Sequence, residues 1–256
     1  MIKQLFTATR IEILKYKRSY AIALATLAPL LIAGMVTIIY FSKADRLVEP
    51  GTNGIESMLQ NSLSISANML FPFYLILLTI LVHQIEFKSQ SLKDLLSYPV
   101  SYFATYNAKW SMAFILIFIS LALYSLFSLL GIWILSLKHP DLFWLDLGIF
   151  LTFAKNTILV ALSCLFLMGI QFLVALRYSN SLVPFGVGVV GFISAGILIQ
   201  GWKHIHFHPY ALGMMTFQNI AGRTAKELSF YLAYSLIGVS MLYVLGYFMW
   251  SRRRIV

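Results

Sequence analysis

The sequence predicts an all-helical membrane protein: six transmembrane helices, both termini cytoplasmic, an amphipathic interfacial helix at the N-terminus and a cytoplasmic helix between spans two and three. Three observations carry that prediction. Of the 256 residues, 60% are hydrophobic and only 11% charged, and mean hydropathy is +0.83, which excludes an ordinary soluble domain. The apolar residues fall in long runs, and about 20 of them in a helix suffice to cross the hydrocarbon core. Runs of that length do not suit an outer-membrane barrel, whose strands alternate over about ten residues. Finally, charge is distributed by side. The N-terminal segment, residues 86–109, Arg177 and the C-terminal arginines hold 12 Lys/Arg against 3 acids, and the opposite side holds 6 against 6. Basic residues mark the cytoplasmic side of a membrane protein. The net charge of +10 is therefore a topology signal and an attraction to anionic lipid headgroups, and no nucleic-acid partner is expected.

In chain order, residues 1–19 carry Lys3, Arg10, Lys15, Lys17 and Arg18 against one acid, Glu12. Ile2, Leu5, Phe6, Ile13, Tyr16 and Tyr20 recur at helical spacing, the pattern of a basic helix lying in the membrane interface. The apolar run at 20–41 is longer than the roughly 7–15 residues of a signal-peptide core, so it reads as an uncleaved first span. Residues 42–63, with Pro50, Gly51, Asn53 and Gly54, read as a loop. The second span is 64–85, with Pro72 a point of kinking. The third, 110–137, is longer than a crossing needs and must tilt or project. Lys138-His139-Pro140-Asp141 reverses the chain. Residues 142–154 then read as an interfacial segment leading into a fourth span at 157–176. A lysine such as Lys155 costs about 2.5–3.5 kcal/mol at mid-bilayer, whereas at the boundary its stem snorkels to water.

The fifth span, 182–202, is glycine-rich, and its Gly191 and Ala195 have the small-xxx-small spacing that permits close helix contact. Residues 203–228 are mixed, the sixth span is 229–250, and Arg252-Arg253-Arg254 follows. The whole of 1–256 is one transmembrane domain. The lone Cys164 lies in an apolar run, which precludes an internal disulfide and suggests an inert buried thiol.

Enzyme signatures are missing. No G-x-x-x-x-G-K-[ST] loop is present to cradle nucleotide phosphates, no H-E-x-x-H helix, and no E-E-x-x-x-R set. The spans hold almost no carboxylates, which disfavours acid–base chemistry in the bilayer and an ion-driven carrier. His204, His206 and His208 alternate and could bind zinc or copper from one face of an extended strand. No cysteine or helix-spaced carboxylate accompanies them, so beside Trp202 and Tyr210 they read as wet interface residues and no metal is expected.

One polar stretch interrupts the apolar runs on the basic side: Glu86–Lys109, EFKSQSLKDLLSYPVSYFATYNAK. It opens as a short amphipathic helix with Leu92, Leu95 and Leu96 on one side and Lys88, Lys93 and Asp94 elsewhere. Pro99 stops that helix, and Ser101 offers the N-cap of the next. Such an element is either a docking surface or a solvated loop.

An acid ending the second span (Glu86), a short helix, the Leu95-Leu96-Ser97-x-Pro99-x-Ser101 turn and Lys109 leading into the third span resemble the permeases of type-2 ABC transporters. The basic N-terminal helix and the topology are similar too, as is Pro209-Tyr210-Ala211 before the last span, where relatives place partly re-entrant external helices. In length and texture the chain is most similar to permease subunits of lantibiotic self-immunity exporters. The resemblance implies that 86–98 is a coupling helix. Glu86, Lys88, Leu92, Lys93, Asp94, Leu95, Leu96 and Pro99 would dock on a separate ATP-binding subunit. It implies a second permease chain, identical or paralogous, a bacterial cytoplasmic membrane, and ATP and Mg used by the partner with no cofactor bound here. The implied substrate is an antimicrobial peptide, with lipid, polysaccharide or drug as the alternative within the class. A membrane sensor or assembly partner is the alternative outside it.

Overall fold

The structure is a computed structural model describing residues 2–16, 19–48, 51–88, 101–222 and 227–252, and every regular element among them is helical. Helix α1 covers Ile2–Tyr16 and α2 Tyr20–Leu47. Helix α3, Gly54–Ile65, passes through a π-turn at Ser66–Leu70 into α4, Phe71–Lys88. Then come α5 (Tyr102–Lys138), α6 (Leu147–Ser163), α7 (Leu165–Arg177) and α8 (Leu182–Leu198). A 3₁₀ turn at Ile205–Phe207 precedes α9 (Leu212–Ala221), and α10 is Leu228–Ser251.

Short polar residues fix several of these ends. Ser101 accepts a hydrogen bond from the Ala104 amide and starts α5 as its sequence position predicted, although the helix then runs unbroken for 37 residues. Asn53 caps α3 through the Ile55 amide, and Asp146 caps α6 through the amides of Gly148 and Ile149. Each cap satisfies donors that the first helical turn leaves unpaired.

The fold departs from the sequence reading in three places. Residues 42–63 are largely helical: α2 continues to Leu47, and α3 begins at Gly54. Ile55, Met58, Leu59, Ser62 and Leu63 are buried along one face of α3, a helical stripe hidden within a polar composition. Around Pro72 the backbone widens to π spacing immediately upstream, where proline supplies no amide to the carbonyl four residues back. The fourth span breaks at Cys164, not at Lys155. Helices α6 and α7 bend by 43° there, and Lys155 is exposed in the middle of α6.

Four units are long and apolar enough to cross a membrane: α2, α3 with α4, α5, and α10. The bent α6–α7 pair makes a fifth if it is one span. Helix α8 has 17 residues. At about 1.5 Å per residue it falls short of the roughly 30 Å core, so four or five crossings meet the length criterion among the described residues, against the six expected.

Two large apolar clusters hold the described helices together. One gathers α2, α3, α5 and α6 around Tyr40, Met58, Tyr124 and Phe143. The other joins α4, α5, α7 and α10 through aromatic rings: Trp110 stacks on Phe172 at 4.2 Å, His83 meets Phe172 edge-on at 4.4 Å, and Tyr106 donates to the Tyr243 carbonyl at 2.8 Å.

Candidate functional site

Leu92, Lys93, Asp94, Leu95, Leu96 and Pro99, expected to belong to a coupling helix, lie outside the described residues. Glu86 and Lys88 belong to the last turn of α4, and their side chains also fall outside that set. What the structure does describe is the frame at both ends of this segment, where α4 leaves off and α5 begins.

That frame is tied together by buried polar contacts. Ala8, Glu12 and Tyr16 occupy one face of α1, four residues apart, and all three are buried. Tyr16 donates to the Val82 carbonyl of α4 at 2.8 Å. Glu12, 4% exposed, pairs with Lys15 at 2.9 Å and with Lys109 of α5 at 3.7 Å. Lys109 is 1% exposed, and its ammonium lies 5.6 Å from the Trp250 ring of α10. The Trp250 indole in turn donates to Thr105 one turn before Lys109. Four helices therefore meet at the root of the 89–100 segment. A charge buried with its counter-charge is costly to separate, so this frame resists sliding of α1, α5 and α10 past one another.

In the sequence Glu12 is the lone acid of a basic helix, and Lys109 is a motif position. Their pairing spans 97 residues and leaves no local trace. The available signal was the register of Glu12 with Ala8 and Tyr16. The face expected to be apolar is split: Tyr16 is buried, whereas Ile13 and Tyr20 are 47% and 80% exposed.

At the other end, residues 199–211 fold back along α8. His208 Nε2 lies 3.1 Å from Ser194 Oγ, and the Tyr210 ring fills the space beside Gly191, where a Cβ would come within 2.6 Å of it. The small-xxx-small face of α8 thus receives a tyrosine ring. Tyr210 also donates to Gln171 of α7 at 2.6 Å, and the Gln171 amide bridges the Pro184 carbonyl and the Gly188 N–H of α8. Helix α9 then returns beside α6, starting where Gly213 abuts the Cys164 sulfur. Burial lowers the His208 pKa below its ordinary value, which keeps the imidazole neutral at neutral pH. The His204 and His206 rings are 6.0 Å apart, while His208 packs on Tyr210 and Ser194. Among the described residues no three His, Cys, Asp or Glu side chains gather as a metal site.

A family model described as "ABC-2 family transporter protein" matches residues 8–195, well over half of the chain. The protein belongs to the ABC-2 transporter family. No curated protein matches the sequence. The ABC-2 match runs from Ala8, on the buried face of α1, through most of α8 and so includes Glu12, Lys109 and the 86–109 stretch. Residues 199–221 and α10 lie beyond it. As an ABC-2 permease the chain is the multi-pass membrane component of an ABC exporter, distinct from the ATPase, and permeases of this family normally work with an ATP-binding subunit.

Proposed function

We propose that this ABC-2 permease exports an amphipathic antimicrobial peptide across the cytoplasmic membrane of the bacterium that makes it. Two permease chains, identical or paralogous, face each other above two ATP-binding subunits. Both termini are cytoplasmic and α8 is the fifth of six crossings. The 86–98 segment is the coupling helix, with Leu92, Leu95 and Leu96 as its docking face and Glu86, Lys88, Lys93 and Asp94 at its rim. When ATP and Mg close the partner subunits, they push on this segment. The push reaches α1, α4, α5 and α10 together because Glu12, Lys109, Tyr16 and Trp250 tie those helices. The substrate leaves by an apolar path.

The observation that carries the reading is the buried four-helix tie at the root of the 89–100 segment, in a chain of a family that works with an ATP-binding subunit. The peptide substrate is supported by the chain's length and texture, while the scarcity of carboxylates in its spans disfavours an ion gradient as the energy source. The direct test is deletion of the gene in the peptide-producing strain, followed by growth in that strain's own peptide. We expect a marked loss of survival, restored by the gene in trans; unchanged sensitivity overturns the peptide assignment.

A further inference from the structure

One cavity of the structure has no part in the coupling frame. It is an open groove of about 830 Å³ at the opposite end of the molecule, between α3, the start of α6 and the end of α9. Two helical stripes wall it: Glu56, Leu59, Gln60 and Leu63 from α3, facing Asp146, Ile149, Phe153 and Asn156 from α6. Phe217 and Ile220 of α9 close the third side. Leu59, Leu63, Phe153 and Phe217 are each no more than 9% exposed and make an apolar floor. Glu56 and Asp146 supply carboxylates at the rim, and no basic side chain of the described residues lines the groove.

The volume lies in the range of small-molecule sites, about 300–1,000 Å³. Its lining is amphipathic in a defined sense, with apolar surface below and negative charge above. The complementary occupant carries a cation beside an apolar side chain. Two chemistries offer that combination in a membrane: a peptide with lysine or arginine next to a large apolar residue, and a phospholipid with an amine headgroup. The phospholipid places a phosphate next to its amine, and two rim carboxylates with no cation beside them among the described residues disfavour that phosphate. We infer that the groove is an outward-side binding site for a cationic amphipathic peptide segment. The inference rests on the peptide-export reading and adds to it the substrate's charge and the place on the permease where it is held.

The test uses the full-length chain in nanodiscs of zwitterionic lipid, without any ATP-binding subunit. The probes are a fluorescent peptide of lysines and leucines and the same peptide with every lysine replaced by glutamine. The wild type should bind the lysine probe at least about tenfold more tightly than the glutamine probe, since one or two charge-assisted contacts carry that much discrimination. Glu56→Gln with Asp146→Asn should abolish the preference while leaving the fold intact, because asparagine remains a good N-cap for α6. Thr152→Trp, which fills the groove from an exposed position on α6, should block the lysine probe without altering rim charge. Equal binding of the two probes by the wild type, or an undiminished lysine preference in the double variant, overturns the inference. Binding that follows this pattern in a chain whose deletion leaves the producer's survival unchanged keeps the groove and removes the self-immunity role. The reverse outcome removes the groove alone.

Discussion

Glu12 and Lys109 are the charged side chains that the described structure buries, and they face each other at the base of the proposed docking segment. Glu12 holds two cations, Lys15 and Lys109. Removing either end of the pair is therefore not symmetric. Glu12→Gln leaves a nearly inaccessible ammonium with less opposing charge, a change that costs about 3–5 kcal/mol where it has been characterised. Lys109→Met leaves Glu12 with Lys15. We expect Glu12→Gln to lower the detergent-solubilised melting temperature more than Lys109→Met does, and the double variant to recover part of the loss. Thermal unfolding of the four proteins checks this, and a double variant as unstable as Glu12→Gln would mean that the pair is not the source of the effect. Neither role was legible in the sequence. A contact between residues 12 and 109 depends on how α1 lies across α5, and no local pattern encodes that crossing. Ser101, by contrast, was legible, because an N-cap is decided within three residues of itself.

At the scale of elements, the informative cases are the breaks. Proline and glycine signal turns through their own backbones, so Pro50, Gly51 and Pro72 drew attention, and α3 was lost behind that punctuation. Its stripe of Ile55, Met58, Leu59 and Leu63 was readable as helix had periodicity been weighed before composition. The bend at Cys164 had no such signal. It follows from Gly213 and Ser235: Gly213 brings α9 against the cysteine sulfur, and Ser235 of α10 donates to the Leu162 carbonyl and accepts from the Phe166 amide. A side chain from another helix thus occupies hydrogen bonds that an unbroken helix would make with itself. The 86–98 element belongs to this scale as well. Its expected role is docking by an apolar face, so Leu95→Asp or Leu96→Asp should abolish co-purification of the ATP-binding subunit while leaving permease abundance in the membrane unchanged. Full retention of the subunit by both variants would sink the docking claim.

Across the whole molecule, exposed apolar side chains cover the outer faces of α2, α5 and α10, among them Leu31, Ile38, Phe118, Trp133, Ile237 and Met241. Such surface is tolerated where the surroundings are hydrocarbon, in keeping with a multi-pass membrane protein. The number of crossings turns on α8, whose 17 residues are short for a span but extend through the turns to Trp202. Replacing the buried Cys164 by alanine provides a background for single cysteines at the exposed positions Arg10, Asp141, Arg177 and Gln200. With six crossings, a membrane-impermeant maleimide should label positions 141 and 200 in intact cells and positions 10 and 177 only after permeabilisation. Labelling of 177 and 200 from the same side would leave α8 as a helix that does not cross.

By itself the sequence determined the solvent, the all-helical class and the family. Bulk hydropathy, the lengths of apolar runs and the 86–109 motif are properties of the chain that survive any arrangement of its helices. Tertiary structure alone decided which polar groups meet. The Glu12–Lys109 pair, the Tyr210 ring against Gly191, the bend at Cys164 and the groove between Glu56 and Asp146 each join residues far apart in sequence. Their energies come from burial and desolvation, and only the packed helices define those.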